Sequence, residues 1–198
     1  MRLSWSDALS LVFACILIAA VMYRWTVGDD RTLVCTISSV DGERYCVRDR
    51  KRVNDAVDLL AVTSQKMTTV VDLCRGSYID APGVARLCDR YNAGAIKEVL
   101  PTSEYTAYSE NKGEKMAFCV NVKRHGERLI DQNTLTFVAL HELAHVMSAS
   151  IGHTPEFWKN FKFLVDRAVE CGVYSPVDYS KKPAQYCGME LTHNPYYS

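Results

Sequence analysis

Residues 133–150, NTLTFVALHELAHVMSAS, form an apolar run at helical spacing that lacks a polar face. Phe137, Val138, Leu140, Leu143, Val146 and Met147 point round the whole helix, so it belongs inside a core. Asp131 or Asn133 is placed to cap its start. A helix buried all round needs other elements to cover every side. It also makes each of its own polar side chains costly unless that side chain has a partner.

Three ionisable residues sit in this run, as His141-Glu142-Leu143-Ala144-His145. The histidines are at i and i+4, on one face with Cβ atoms ~5–6 Å apart, so both imidazoles can reach one zinc ion at ~2.0–2.1 Å. Glu142 lies one step round the helix, where it can take a proton from a metal-bound water without being a ligand. A third ligand can come from His153, Asp166 or Glu170. His153 is the favoured one, because Ser150-Ile151-Gly152 can break the helix and turn the chain back, with Gly152 free to take φ > 0. Asp166 and Glu170 fall on a following helix with Thr154 as N-cap, Pro155 at its first position and Gly172 past its end. Its apolar stripe is Phe157, Phe161, Leu164, Val165 and Ala168.

The segment TLTFVALHELAHVMSASIGHTPEFW resembles the WLM and SprT-like zinc metallopeptidases, in which an HELAH-type helix is followed by a third histidine and an aromatic segment. The matching positions are His141, Glu142, His145, His153, Phe157 and Trp158. The match looks closest to small metallopeptidase-like proteins of large nucleocytoplasmic DNA viruses, which also share a late Tyr-Cys-Gly-Met, here at 186–189. The resemblance implies a minimal zincin-like α+β fold, three histidine ligands and Glu142 as base. Cellular relatives act on proteins crosslinked to DNA. The metzincin arrangement is excluded, since Ser148 and Ile151 stand where it needs Gly and His.

The N-terminus reads as a separate object. Residues 8–23 carry no charge, and Trp5 and Trp25 flank them. Twenty residues of helix span ~30 Å, the thickness of a bilayer core. Aromatic flanks favour an anchor over a cleaved signal peptide. Positive charge after the span favours a cytosolic C-terminal part, whereas the cysteines favour the other side, so the side stays open.

The eight cysteines suggest Cys35/Cys46, Cys74/Cys88 and Cys171/Cys187 as pairs by proximity, with Cys119 left over; reduced, buried thiols are the alternative. Residues 28–50 read as a linker or small hairpin, with a strand at 32–38 and a turn at Asp41-Gly42. Helices are expected over 55–73, capped by Asn54, and over 82–91. Strands at 105–109 and 115–122 make a hairpin around Asn111-Lys112-Gly113. The edge of that hairpin is placed to pair with an extended substrate. The basic clusters Arg48–Arg52 and Lys123-Arg124-His125 read as solvated turns, because 23 basic residues balance 23 acidic ones. The same balance disfavours a nucleic-acid partner. Cys187 is a candidate fourth metal ligand or a disulfide half. Tyr174, Tyr179 and Tyr186 lie near the metal helices without an assigned role.

These readings combine into an α+β, minimal zincin-like domain at 51–198, behind a linker at 28–50 and a transmembrane anchor at 1–27. The expected function is a single-pass, membrane-anchored metallopeptidase. It would hold one Zn2+ on His141, His145 and His153, use Glu142 as general base, and take a protein or peptide substrate. Its rivals are a zinc-stabilised binding or structural module without turnover, and a DNA-associated protease.

Overall fold

The computed structural model describes residues 12–19, 22, 33–100 and 102–198. Strands β1 (Leu33–Ile37) and β2 (Arg44–Arg48) form an antiparallel hairpin, with Cys35 opposite Cys46 and disulfide-bonded to it. Asp58 ties this hairpin to the next helix, accepting hydrogen bonds from Ser38 Oγ at 2.7 Å, Ser39 N at 2.9 Å and Ser39 Oγ at 2.7 Å. Those bonds favour the charged carboxylate and lower its pKa.

Helix α1 (Val53–Ser77) buries Ala56, Val57, Leu60, Met67, Val71 and Cys74 along one stripe. It starts one residue before Asn54, so Arg52 occupies the cap position without a side-chain cap bond, and the expected cap by Asn54 is corrected. Helix α2 (Val84–Arg90) follows, entered through Gly83. A three-stranded sheet comes next, in the order β3 (Ile96–Glu98), β5 (Lys115–Phe118), β4 (Ala107–Glu110). β3 runs parallel to β5 and β4 antiparallel to it, which leaves β4 on an edge. The strand expected to reach 122 ends at Phe118. Beyond it, the chain pairs with 128–130 through a single Asn121–Leu129 bridge, made by the Val122 N–Arg128 O and Ile130 N–Val120 O bonds.

The turn between β4 and β5 has Asn111, Lys112 and Gly113 at φ of 47°, 56° and 114°. A Cβ at Gly113 would lie 2.7 Å from the Arg90 carbonyl and 3.0 Å from Val146 Cγ1, so the turn is pressed between the end of α2 and the central helix. That central helix is α3 (Gln132–Met147), capped by Asp131 through a 2.9 Å bond from Thr134 N. It packs against α4 (Pro155–Glu170), α1, α2 and β4. Phe118, Leu140, Leu143, Phe157 and Phe161 meet in the core around it. A short hairpin, β6 (Ala184–Tyr186) and β7 (Met189–Leu191), closes the chain's last segment.

Two expectations are corrected. Among the described residues no helix is long and apolar enough to cross a membrane. The expected transmembrane anchor, membrane partner through residues 8–27 and single-pass membrane location thus find no such helix among the described residues. Residues 12–19 and 22 are helical; the rest of the expected span lies outside the described residues. The cysteine pairing also differs: Cys187 bonds to Cys119, while Cys74, Cys88 and Cys171 are free thiols. Cys74 is buried, and burial pushes its thiol up to about 12.

The Cys119–Cys187 bond closes a loop of 68 residues. Loop-closure entropy gives such a bond ~4 kcal/mol of stability, against ~3 kcal/mol for the short Cys35–Cys46 loop. Peptide mapping of the non-reduced protein should yield Cys35–Cys46 and Cys119–Cys187. Replacing Cys119 and Cys187 together by Ser should lower the denaturant midpoint more than replacing Cys35 and Cys46. The opposite ranking would refute the loop-closure account.

Candidate metal centre

His141 and His145 project from one face of α3, and His153 arrives from the turn between α3 and α4. Their ligand nitrogens all lie within 4.8 Å of one another. His141 Nε2 is 3.2 Å from His145 Nε2 and 3.0 Å from His153 Nε2. Tetrahedral zinc with ~2.0–2.1 Å bonds puts ligand nitrogens ~3.3 Å apart, so the three imidazoles stand close to the edges of such a tetrahedron. The set fits one metal ion.

Phe157 backs all three rings. Its centroid is 4.8 Å from that of His141, 4.3 Å from His145 and 4.7 Å from His153. This wall covers one side of the cluster, while the imidazoles keep an open side and His153 stays exposed. Burial, followed by the two other histidines, lowers His141 to about 3; burial, then His153 and Lys112, lowers His145 to about 4. Both rings are thus neutral at neutral pH, as metal ligation requires.

The turn that delivers His153 is held from two sides. Glu156, in the first turn of α4, accepts from Ala149 N at 2.8 Å, Ser150 N at 2.9 Å and Ser150 Oγ at 2.7 Å. These bonds pull its carboxyl down to about 2. Lys112 reaches across from the β4–β5 turn and donates to the carbonyls of Ser148 at 2.7 Å, Ala149 at 3.0 Å and Ser150 at 2.8 Å. An ammonium at the end of α3 satisfies carbonyls the helix cannot. Gly152 takes φ of +82°, with open space where a Cβ would stand.

The histidines open onto a cleft of about 1000 Å³, also lined by Tyr105, Glu142, Ile151 and Tyr186. Glu142 is 5% exposed, and burial pushes its carboxyl up to about 8. Tyr186 donates to the Thr106 carbonyl at 3.0 Å. Tyr174 and Tyr179 pack on Phe137 instead. Asp166 and Glu170 stand apart from the cluster: Asp166 faces Lys162 at 3.9 Å, and Glu170 pairs with Arg167 at 2.7 Å. Cys187 is bonded to Cys119 and so is not a fourth ligand.

Sequence reading missed Lys112, Glu156 as a clamp, and the backing role of Phe157. Glu156 carried a signal only as a first-turn acid. Lys112 carried none, since its partners lie 36 to 38 residues away.

No family model matches the chain, and no solved structure matches it. It is similar to an uncharacterized protein of Acanthamoeba polyphaga mimivirus, 28% identical over 158 residues, which is 78% of this chain and 80% of that protein. It is also 39% identical over 84 residues to an uncharacterized protein of Invertebrate iridescent virus 6, covering 42% of this chain and 47% of that one. A third match, an uncharacterized protein of Invertebrate iridescent virus 3, is 45% identical over 65 residues, 32% of this chain and 38% of that one.

The expected membrane-anchored metallopeptidase is corrected on these findings. Among the described residues no helix is long and apolar enough for the anchor, and the ligand cluster consists of histidines alone. Glu142, assigned as the base, lies outside that cluster; it is 5% exposed, and burial raises the pKa of its carboxyl. Metal coordination by the three histidines is the part of the site the geometry carries.

Lys112→Met should lower metal affinity by ~10-fold or more, since partners that orient a ligand act on affinity at that scale. Competition with a fluorescent zinc chelator measures it. The Glu156 clamp has a depressed folded pKa, so its contribution is complete above the unfolded value of ~4.3 and is lost only as pH falls toward about 2. The protection factors of the Ala149 and Ser150 amides, taken against the intrinsic exchange rate at each pH, should hold down to pH ~3 in the wild type and be lower throughout in Glu156→Gln.

Proposed function

We propose that the chain is a zinc-binding module in which one Zn2+ on His141, His145 and His153 pins helix α3 to the α3–α4 turn. The observation that supports this most is the convergence of three imidazole nitrogens within 4.8 Å, two pairs at 3.0 and 3.2 Å. Without a cation, ring nitrogens at such distances set lone pair against lone pair unless a proton lies between them. A single proton on His141 Nε2 can point at one neighbour, whereas a metal ion takes a lone pair from all three rings at once. An all-imidazole donor set suits zinc among the available divalent ions, while magnesium and calcium prefer oxygen. The role is one of binding and structure. The ion joins segments that the chain alone holds through Lys112 and Glu156. The resemblance to WLM and SprT-like proteins enters as a proposed kinship of the helix and its histidines, and carries no activity with it.

Elemental analysis should find one zinc per chain. At zinc concentrations of 100 Kd, the ion adds ~2.7 kcal/mol, or roughly 5–10 °C in Tm for a chain of this size. His141→Ala, His145→Ala and His153→Ala should each lose the zinc and that increment, while Glu142→Gln keeps both. Three protein ligands leave a fourth position facing the cleft, so turnover is the decisive check. Zinc-dependent hydrolysis of an unfolded protein, abolished by Glu142→Gln, would overturn the module.

A further inference from the structure

The two basic clusters that read separately as solvated turns come together in the fold. Arg48 and Arg50, at and beyond the end of β2, wall a pocket of about 320 Å³ with Asn121, Arg124, His125 and Glu127. Arg50 Nη1 donates to Asn121 Oδ1, 71 residues away, at 2.7 Å. This pocket shares no lining residue with the cleft at the histidines.

Its floor carries unbalanced charge. The side chains of Arg48 and Arg50 are 10% and 6% exposed, and both lean on a single carboxylate, Glu98, which is fully buried. Arg48 Nε donates to the Val99 carbonyl at 2.8 Å and Nη1 to the Arg124 carbonyl at 2.6 Å. Arg48 Nη2 is buried and has no hydrogen-bond partner among the described residues. The Arg124 guanidinium is turned to the carbonyls of Ser103 and Glu104. Asp49 and Glu127 also line the pocket, but they are exposed, where water and salt screen them. Two cations against one anion in a weakly screened floor leave a net positive charge with an unused donor. Burial is the largest influence on Arg48 and lowers its pKa; Glu98 opposes this, and Arg50 and Arg124 add to it. An anion in the pocket relieves that crowding.

We propose that this pocket binds a small phosphate-bearing anion, inorganic phosphate or a compact monoester, with Arg48 and Arg50 supplying charge and donors. Arg50 Nε donates to the Arg48 carbonyl at 3.2 Å and its Nη2 to Glu98, so the donors left for phosphate oxygens are the partnerless Arg48 Nη2 and the second hydrogens of the two Nη1 groups; the volume admits a group somewhat larger than phosphate alone.

Inorganic phosphate titrated into the full chain at constant ionic strength should give a saturable, one-site calorimetric isotherm. Phosphate also coordinates metal, so the titration is repeated after chelator treatment, and the isotherm should not change. Its loss would place the phosphate at the histidines and overturn the pocket assignment without touching the metal reading. Arg48 and Arg50 hold the fold through Glu98, so the variants are made at the exposed rim. Asp49→Asn and Glu127→Gln should tighten phosphate binding about 2–5-fold by removing nearby negative charge, and His125→Glu should weaken it by a similar factor. Asp80→Asn, in an exposed turn outside the pocket, should leave it unchanged. Glycerol phosphate should compete with phosphate, whereas duplex DNA should not. No saturable isotherm, an equal response from Asp80→Asn, or binding of duplex DNA alone that follows the rim variants would each overturn the proposal.

Discussion

Helix α3 ends inside the protein, and the carbonyls at and just beyond its end need donors from elsewhere. Arg86 Nη1 donates to the Met147 carbonyl at 2.6 Å, and Lys112 donates to those of Ser148, Ala149 and Ser150 in the turn that follows. The demand fixes much around it. The β4–β5 turn must come close enough for a lysine to reach, which requires positive φ at three successive residues and a glycine at 113 where no Cβ fits. Glu156 grips the same turn through its amides, so one short segment is held by its carbonyls on one side and its N–H groups on the other. His153 is carried by that segment. The geometry of the metal centre therefore depends on an ammonium and a carboxylate that touch no histidine nitrogen.

The sequence made the i, i+4 histidines legible because a helical period is local, and it made His153 legible because Gly152 is a local break. The Asp131 and Thr154 caps were equally readable, each bonding an amide three residues on. What escaped acts over distance. Lys112 and Ser150 are 38 residues apart, Cys119 and Cys187 are 68 apart, and no periodicity connects them. Proximity in sequence found Cys35–Cys46, whose strands are joined by one turn, and failed for Cys187, whose partner sits on a segment next to the central sheet.

Burial sets the protonation of the site in opposite directions for its two kinds of group. The same low-dielectric wall of Phe157 and Phe161 that lowers the pKa of His141 belongs to the interior that raises that of the neighbouring Glu142 carboxyl. Neutral imidazoles are ready to donate lone pairs. The arrangement is thus prepared for a cation at the histidines without any rearrangement of charge on the ligands.

The wall between the cleft and the basic pocket is one stretch of chain. Leu100, Thr102, Ser103 and Thr106 line the cleft, and the same stretch is fastened from behind. Arg48 holds the Val99 carbonyl, and Arg124 holds those of Ser103 and Glu104. Glu98, at the head of this stretch, binds the backbone N–H of Arg48 at 2.7 Å and pairs with Arg50. The arginines of one site are therefore structural pins for a wall of the other. Arg48 thereby fixes the Val99 carbonyl immediately before Leu100, the first residue of the stretch that lines the cleft.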